Sequence, residues 1–347
     1  LVQKSEKPRI FTSKILKIVP YTRKVTGRRD FSTRSQLVAI KEETKMSTQK
    51  LTLSALALAL CSMALASNPP TVDGTLDSSY GSSLANQQNV TSFGQSTTGS
   101  AYNSSAGSQL DAAYGLISGG TLYIMLTGNL QTNGNHLDIW LDTGAAGQNT
   151  LSGTTGAANS HWEGATLSNG FNASQFFTVN GNGTSFYVNQ DTLSGSAWVD
   201  SYLGSNGYGG TGGGTLSGGA NPGNILAAID DSNSGASINL ADTTGMEMAI
   251  PLADLGNPTG PIKIIADING GQDDYLSNQF LGSLTSGMGS LGDDGAGNYT
   301  NGSLAAINLS NYGNPMFIVN PQAVPAPMPI AVLGLGVLAL IVRKRSA

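Results

Sequence analysis

The chain has 347 residues, 46 of them glycine, with 11% charged, 7% aromatic and a formal net charge of -5, enough for one large β domain or two small ones. The charge is segregated: between residues 67 and 323 one basic side chain, Lys263, stands against eighteen acids. Such a body repels nucleic-acid phosphates and acidic glycans, and with one cation it cannot be held by salt bridges; burial, backbone pairing and side-chain-capped turns must hold it.

Residues 1–50 carry thirteen Lys and Arg against Glu6, Asp30, Glu42 and Glu43, with no clear apolar periodicity. Met46 opens a basic stretch, the apolar run Leu51 to Leu60, and Ala64-Leu65-Ala66. That is the order of a secretory signal peptide, with Ala64 and Ala66 marking the cleavage site and signal peptidase and the Sec machinery as partners. Residues 1–45 are then expected to be upstream sequence translated from too early a start, disordered; a long basic leader and a transit peptide are the alternatives. Cys61 is the one cysteine. It follows Leu60, where a lipoprotein signal needs a small residue, so it reads as part of the apolar run. The exported body then has no cysteine, which excludes disulfides, thiolate metal sites and a cysteine nucleophile.

Strand signals fill the body. Leu110 to Ile117 and Thr121 to Leu126 flank Ser118-Gly119-Gly120, a hairpin signal. Residues 136–142 alternate strictly: Leu137, Ile139 and Leu141 face one way, His136, Asp138, Trp140 and Asp142 the other. Further strands are expected at 175–179, 184–190, 197–203, 225–230, around Met246, Met248 and Ile250, at 262–268 and at 316–319, with one helical turn at 251–255. Short strands, Gly/Asn turns and no long helix predict an all-β fold, an antiparallel β-sandwich of jelly-roll-like form over 67–323. Three long Gly/Asn/Ser-rich loops are expected at 143–171, 204–223 and 270–314. Such loops on a rigid sandwich are where binding residues concentrate; 204–223 reads instead as floppy decoration.

Several pieces resemble a known group: Thr71-Val72-Asp73-Gly74-Thr75-Leu76-Asp77, then 120–124, 137–142, and Glu247-Met248-Ala249-Ile250-Pro251-Leu252 with Leu255-Gly256. Together they are similar to family 9 carbohydrate-binding modules and DOMON-like sandwiches. The resemblance implies a sandwich fold. Leu276-Ser277-Asn278-Gln279 also resembles exported proteins that carry the sorting tail described below.

Chemistry-bearing residues are sparse. The body's histidines are His136 and His161, and no Ser/His/Asp spacing or metal-binding histidine pair appears. Acid pairs can run glycoside hydrolysis, but nothing singles out which two of eighteen. Asp230-Asp231, Asp273-Asp274 and Asp293-Asp294 sit among Gly, Asn and Ser, where oxygen ligands on loops suit calcium; the alternative is Asx turns. Trp140 beside His136, Asp138 and Asp142 has the parts of a sugar platform, an indole to stack on C–H faces and carboxylates to accept hydroxyl protons. The alternative, favoured by its size, is a second-face core residue.

The chain closes with Val324-Pro325-Ala326-Pro327, the apolar run 328–342, and Arg343, Lys344 and Arg345. Fifteen helical residues span ~22 Å at ~1.5 Å each, short of a ~30 Å bilayer core, with the basic end held inside. This order of Pro-rich motif, short helix and basic end resembles the PEP-CTERM sorting signal of bacteria, with Ala326 where the typical motif has Glu. The resemblance implies transient membrane anchoring and processing by an exosortase-type transpeptidase, and it argues against a transit peptide. The expectation is an exported protein of the cell surface or extracellular matrix, non-enzymatic, with a binding or structural sandwich and neutral extracellular polysaccharide as its ligand; a secreted glycan-active hydrolase is the alternative.

Overall fold

A two-residue turn sets the first hairpin. Ser118 pairs with Thr121 across Gly119 and Gly120, whose φ of 58° and 81° are the left-handed values this turn demands. The computed structural model describes residues 68–93, 107–158, 160–232 and 237–321. The expected upstream extension 1–45, the expected signal segment 46–66 and the expected sorting tail 324–347, with the helices expected in the last two, lie outside the described residues. Among the described residues no helix is long and apolar enough to cross a membrane.

The fold is all-β, with antiparallel strands in two sheets. Strands β1 (Ala85–Asn86), β2 (Gln109–Ser118), β3 (Thr121–Asn129), β9 (Leu226–Ile229) and β10 (Gly245–Pro251) make the smaller sheet, in the order β1-β2-β3-β10-β9. The larger contains β4 (Asn133–Asp142), β5 (Gln175–Asn182), β6 (Ser185–Ser194), β7 (Ala197–Gly207), β8 (Ser217–Gly218), β11 (Ile262–Asn269), β12 (Leu276–Leu281) and β13 (Phe317–Val319). Its order is β12-β11-β4-β5-β6-β7-β8, with β13 also on β11. The expected jelly-roll-like connectivity does not hold along this sheet. Strands β4 to β8 follow one another as a meander, with tight Gly turns at 183 and 195 making the β5–β6 and β6–β7 returns.

The period of two puts the apolar faces together. Leu122, Ile124 and Leu126, Leu137, Ile139 and Leu141, and Met246, Met248 and Ile250 all enter one buried cluster shared by both sheets. Ile262, Ile264, Ala266 and Ile268 join them from β11. The segment 204–223 is not loose decoration. Its Tyr208 and Leu216 are buried in this same cluster, and β8 adds it to the larger sheet.

Two long loops build a second core on the outer face of the larger sheet. Leu151, Trp162, Leu167 and Phe171 from the loop after β4, and Leu284, Leu291, Leu304, Ile307 and Leu309 from the chain after β12, pack over Trp140, Phe176, Trp198 and Ile265. Strand β12 itself lies inside what reads as loop 270–314, since Ser277, Asn278 and Gln279 hide its alternation. These side chains are buried connectors. Gln279 accepts from Gln109 Nε2 at 2.8 Å and Leu110 N at 3.0 Å, and donates to Asn89 O at 3.0 Å. Asn278 donates to Val90 O and Met288 O, each at 2.9 Å, so residues 87–92 are stitched along β12.

On the outer face of the smaller sheet, buried Glu247 accepts from Asp73 N at 2.9 Å, Gly74 N at 3.1 Å and Tyr80 Oη at 2.8 Å. The Val72-Asp73-Gly74 stretch and the strand carrying Glu247, both singled out in the sequence, therefore hold each other.

Candidate functional site

The site lies on the outer face of the larger sheet, at the end of β4 where the second core gives way to polar side chains. Register builds it in rows. His136 of β4 stands between Asn180 of β5 and Asn269 of β11, and Asn180 is followed by Tyr187 of β6. One row deeper, Asp138 stands between Thr178 and Asp267, and Thr178 is followed by Asn189. A pocket of about 460 Å³ opens here, lined by His136, Thr178, Asn180, Tyr187, Asn189 and Asp200 from the strands. Gly156 and Ala157 close one side, and Gly271, Gln272 and Asp273 the other. Tyr187 is 40% exposed, so a polar-lined hollow carries one accessible aromatic face.

The turn after β11 sets Asp273. Asn269 Oδ1 accepts from Gly270 N at 2.8 Å and Tyr275 N at 3.1 Å, and Asp273 N donates to Gly270 O at 2.9 Å. Asp273 adopts a φ of 56°, a left-handed value that Asp tolerates better than most residues. Its carboxylate then meets His136 Nδ1 at 2.5 Å, while Asn180 Nδ2 lies 2.7 Å from Nε2. This pairing fits a neutral imidazole that donates from Nδ1 and accepts at Nε2. Burial lowers the His136 pKa against the opposing pull of Asp138 and Asp274.

Three buried carboxylates gather below. Donor atoms of His136, Asp138 and Asp273 lie within 4.8 Å of one another. Asp138 accepts from Asn269 Nδ2 at 3.1 Å, and Asp267 faces it directly across the β4–β11 ladder. Both oxygens of Asp267 are buried without a hydrogen-bond partner. Burial, then the neighbouring Asp273, pushes Asp138 up to about 8. Asp267 and Asp273 are driven well above the ordinary range, again chiefly by burial.

The residues expected to form a sugar platform do not form one. Trp140 has no exposed surface: Phe176, Trp162 and Trp198 pack on it with centroids at 4.1, 5.1 and 5.5 Å. An indole so enclosed cannot stack on a sugar. Asp138 is fully buried, and Asp142 caps the following loop, accepting from Gly144 N at 3.0 Å, Asn172 N at 3.1 Å and Lys263 Nζ at 3.0 Å. The alternation that set these residues opposite Leu137, Ile139 and Leu141 holds, but a loop layer covers that face. His136 alone of the four reaches the pocket.

Asp293, Asp294 and Asp230, from two of the three acid pairs, accept from nearby backbone N–H groups. Asp293 is ringed by donors, Asn301 N at 2.7 Å, Gly302 N at 2.6 Å and Thr300 N at 2.8 Å. Burial opposes its charge, but these N–H groups outweigh it and hold the carboxyl at about 2. These donors and the Thr300 hydroxyl take up the lone pairs that a cation would need. Asp294 caps Ala296 N and Asn298 N in an Asx turn. Asp230 does the same for Ser232 N, and Asp231 is buried beside it. Of the third pair, Asp274 accepts from Tyr299 Oη, and Asp273 joins the His136 cluster.

Sequence reading assigned His136 and Asp138 to one candidate site and Asp273 to another, and the fold unites them. It passed over Asp267, Asn180, Tyr187, Asn189, Asp200 and Gln272. Asp267 had a signal, as the one acid in Ile262–Asn269, a strand with four isoleucines. The chain matches no protein-family model, no curated protein and no solved structure.

Proposed function

We propose that this is an exported bacterial surface or matrix protein whose β-sandwich binds a neutral glycan in the pocket above His136. The observation that carries the reading is the pocket's lining. Asn180, Asn189 and Gln272 offer donors and acceptors for hydroxyl groups, and exposed Tyr187 offers a face for sugar C–H groups. A body with one lysine and eighteen acids disfavours an acidic glycan. Delivery follows from the sequence. The segment 46–66 serves Sec export, and the PEP-CTERM-like tail with its short membrane helix serves exosortase processing at the envelope.

A secreted glycan hydrolase is the second reading, favoured by the two carboxylates, Asp200 and Asp273, that line the same pocket. A glycan array run beside a panel of polysaccharide substrates separates the two. Retention of neutral glycans without release of reducing ends is expected, and release of sugar would replace binding by hydrolysis. Intact-mass analysis of the exported protein tests delivery. A start near Ser67 and loss of Arg343 to Ala347 are expected, and an intact basic end would remove the sorting step.

A further inference from the structure

We propose that His136, Asp138 and Asp273 form a binding site for one divalent first-row transition ion such as Mn²⁺ or Zn²⁺ at the floor of the pocket, with Asp267 as an adjoining anion. Three observations carry it. The donor atoms of the first three residues lie within 4.8 Å of one another, the span of a coordination shell. Asp267 is fully buried beside them, opposite Asp138, and neither of its oxygens meets a hydrogen-bond donor. A buried carboxylate in that condition is strongly disfavoured unless something positive compensates it.

The third observation is the lack of a protein cation to do so. Lys263 is the one Lys or Arg among the described residues, and it is committed to Asp142 and to Gly170 O. Positive charge for the cluster must come as protons or as an ion.

Ligand chemistry selects the ion. One imidazole with carboxylates suits Mn²⁺ or Zn²⁺, whereas calcium asks for six to eight oxygens, more than two ligating carboxylates supply. On binding, Nδ1 gives up its proton and takes the metal. Nε2 then carries the ring N–H, and Asn180 turns its amide oxygen to accept it, a partner of the kind that orients metal-bound histidines. His136 and Asp273 also line the pocket, so an ion they hold faces any bound ligand. The inference does not rest on the sugar reading.

The test uses the full chain, stripped with chelator and without glycan. Melting midpoints are compared in chelator, Mn²⁺, Zn²⁺ and Ca²⁺ at constant ionic strength. Mn²⁺ or Zn²⁺ at about 100-fold over Kd should raise the midpoint by about 5–10 °C. His136→Gln should weaken the ion's affinity by about 100-fold or more and leave the midpoint in chelator near that of wild type. If that variant does not fold, metal retained by wild type after desalting decides: one equivalent supports the site and none overturns it. A shift with calcium alone, no shift with any ion, or an equal shift in His136→Gln would each overturn the proposal. Glycan binding that survives chelation leaves the proposed function standing whatever these melts show.

Discussion

Replacing Trp140 tests whether the outer face of the larger sheet is a true core. The side chain is fully buried against Phe176, Trp162 and Trp198. Removing a buried tryptophan costs about 3–5 kcal/mol through lost transfer energy and an unfilled cavity. Trp140→Ala should therefore lose about 4 kcal/mol, or about 8–16 °C for a body of this size. Trp140→Phe should behave differently. The indole N–H of Trp140 is buried without a partner, and removing such a donor regains about 1–3 kcal/mol against the packing lost. The expected net cost is about 1 kcal/mol. Urea unfolding followed by tryptophan fluorescence measures both. All three tryptophans of the chain are buried, so native emission should be blue-shifted and move to the red on unfolding. A Trp140→Ala protein within 1 kcal/mol of wild type would refute the second core and reopen Trp140 as a surface residue.

Three further outcomes follow from the buried polar groups and one close approach. Burial, resisted by the N–H groups of Asp73 and Gly74 and by Tyr80 Oη, raises Glu247 to about 7. The folded state then binds more protons than the unfolded one between about pH 4.5 and 7, so this group's stabilisation is present at low pH and is lost as pH rises through 7. Glu247→Gln should match wild type near pH 5 and exceed it by about 3 kcal/mol above pH 8; an unchanged pH profile would contradict the assignment. A Cβ on Gly245 would lie 2.1 Å from Leu126 O, so Gly245→Ala should cost about 3 kcal/mol in thermal or urea unfolding, and a neutral change would contradict the β3–β10 packing. Gln279→Ala strands Leu110 N and Asn89 O, each worth about 1–3 kcal/mol, and hydrogen exchange at 87–92 should rise; unchanged protection there would sink the stitching role.

The strands were legible wherever hydrophobic alternation was clean. Leu137, Ile139 and Leu141 and Met246, Met248 and Ile250 announce both their strands and the face that is buried. Strand β12 escaped because Ser277, Asn278 and Gln279 are as buried as leucines but polar, and the Gln109 and Val90 partners of Gln279 and Asn278 lie more than 160 residues away in the chain. The fate of Trp140 hung on the same kind of distant contact. Period two says which face a residue takes, but only the fold says that residues 143–171 and 282–316 cover that face. The site was legible in pieces. His136, Asp138 and Asp273 each stood out by residue type, but what joins them is the pairing of β4 with β11 and the left-handed turn at Asp273. Adjacent acids misled because a carboxylate's role depends on what faces it. Asp293 meets backbone N–H groups, whereas Asp273 meets an imidazole.

Isothermal titration of a neutral glycan retained on the array, into wild type, Tyr187→Ala, Asn180→Ala and Trp140→Phe, tests the central claim most directly. Tyr187 and Asn180 line the pocket and Trp140 does not. Each pocket variant should weaken binding about tenfold, equivalent to ~1.4 kcal/mol, with unfolding midpoints close to wild type, while Trp140→Phe binds as wild type does. Unchanged affinity in both pocket variants, or a loss confined to Trp140→Phe, would contradict the claim that this pocket holds the ligand.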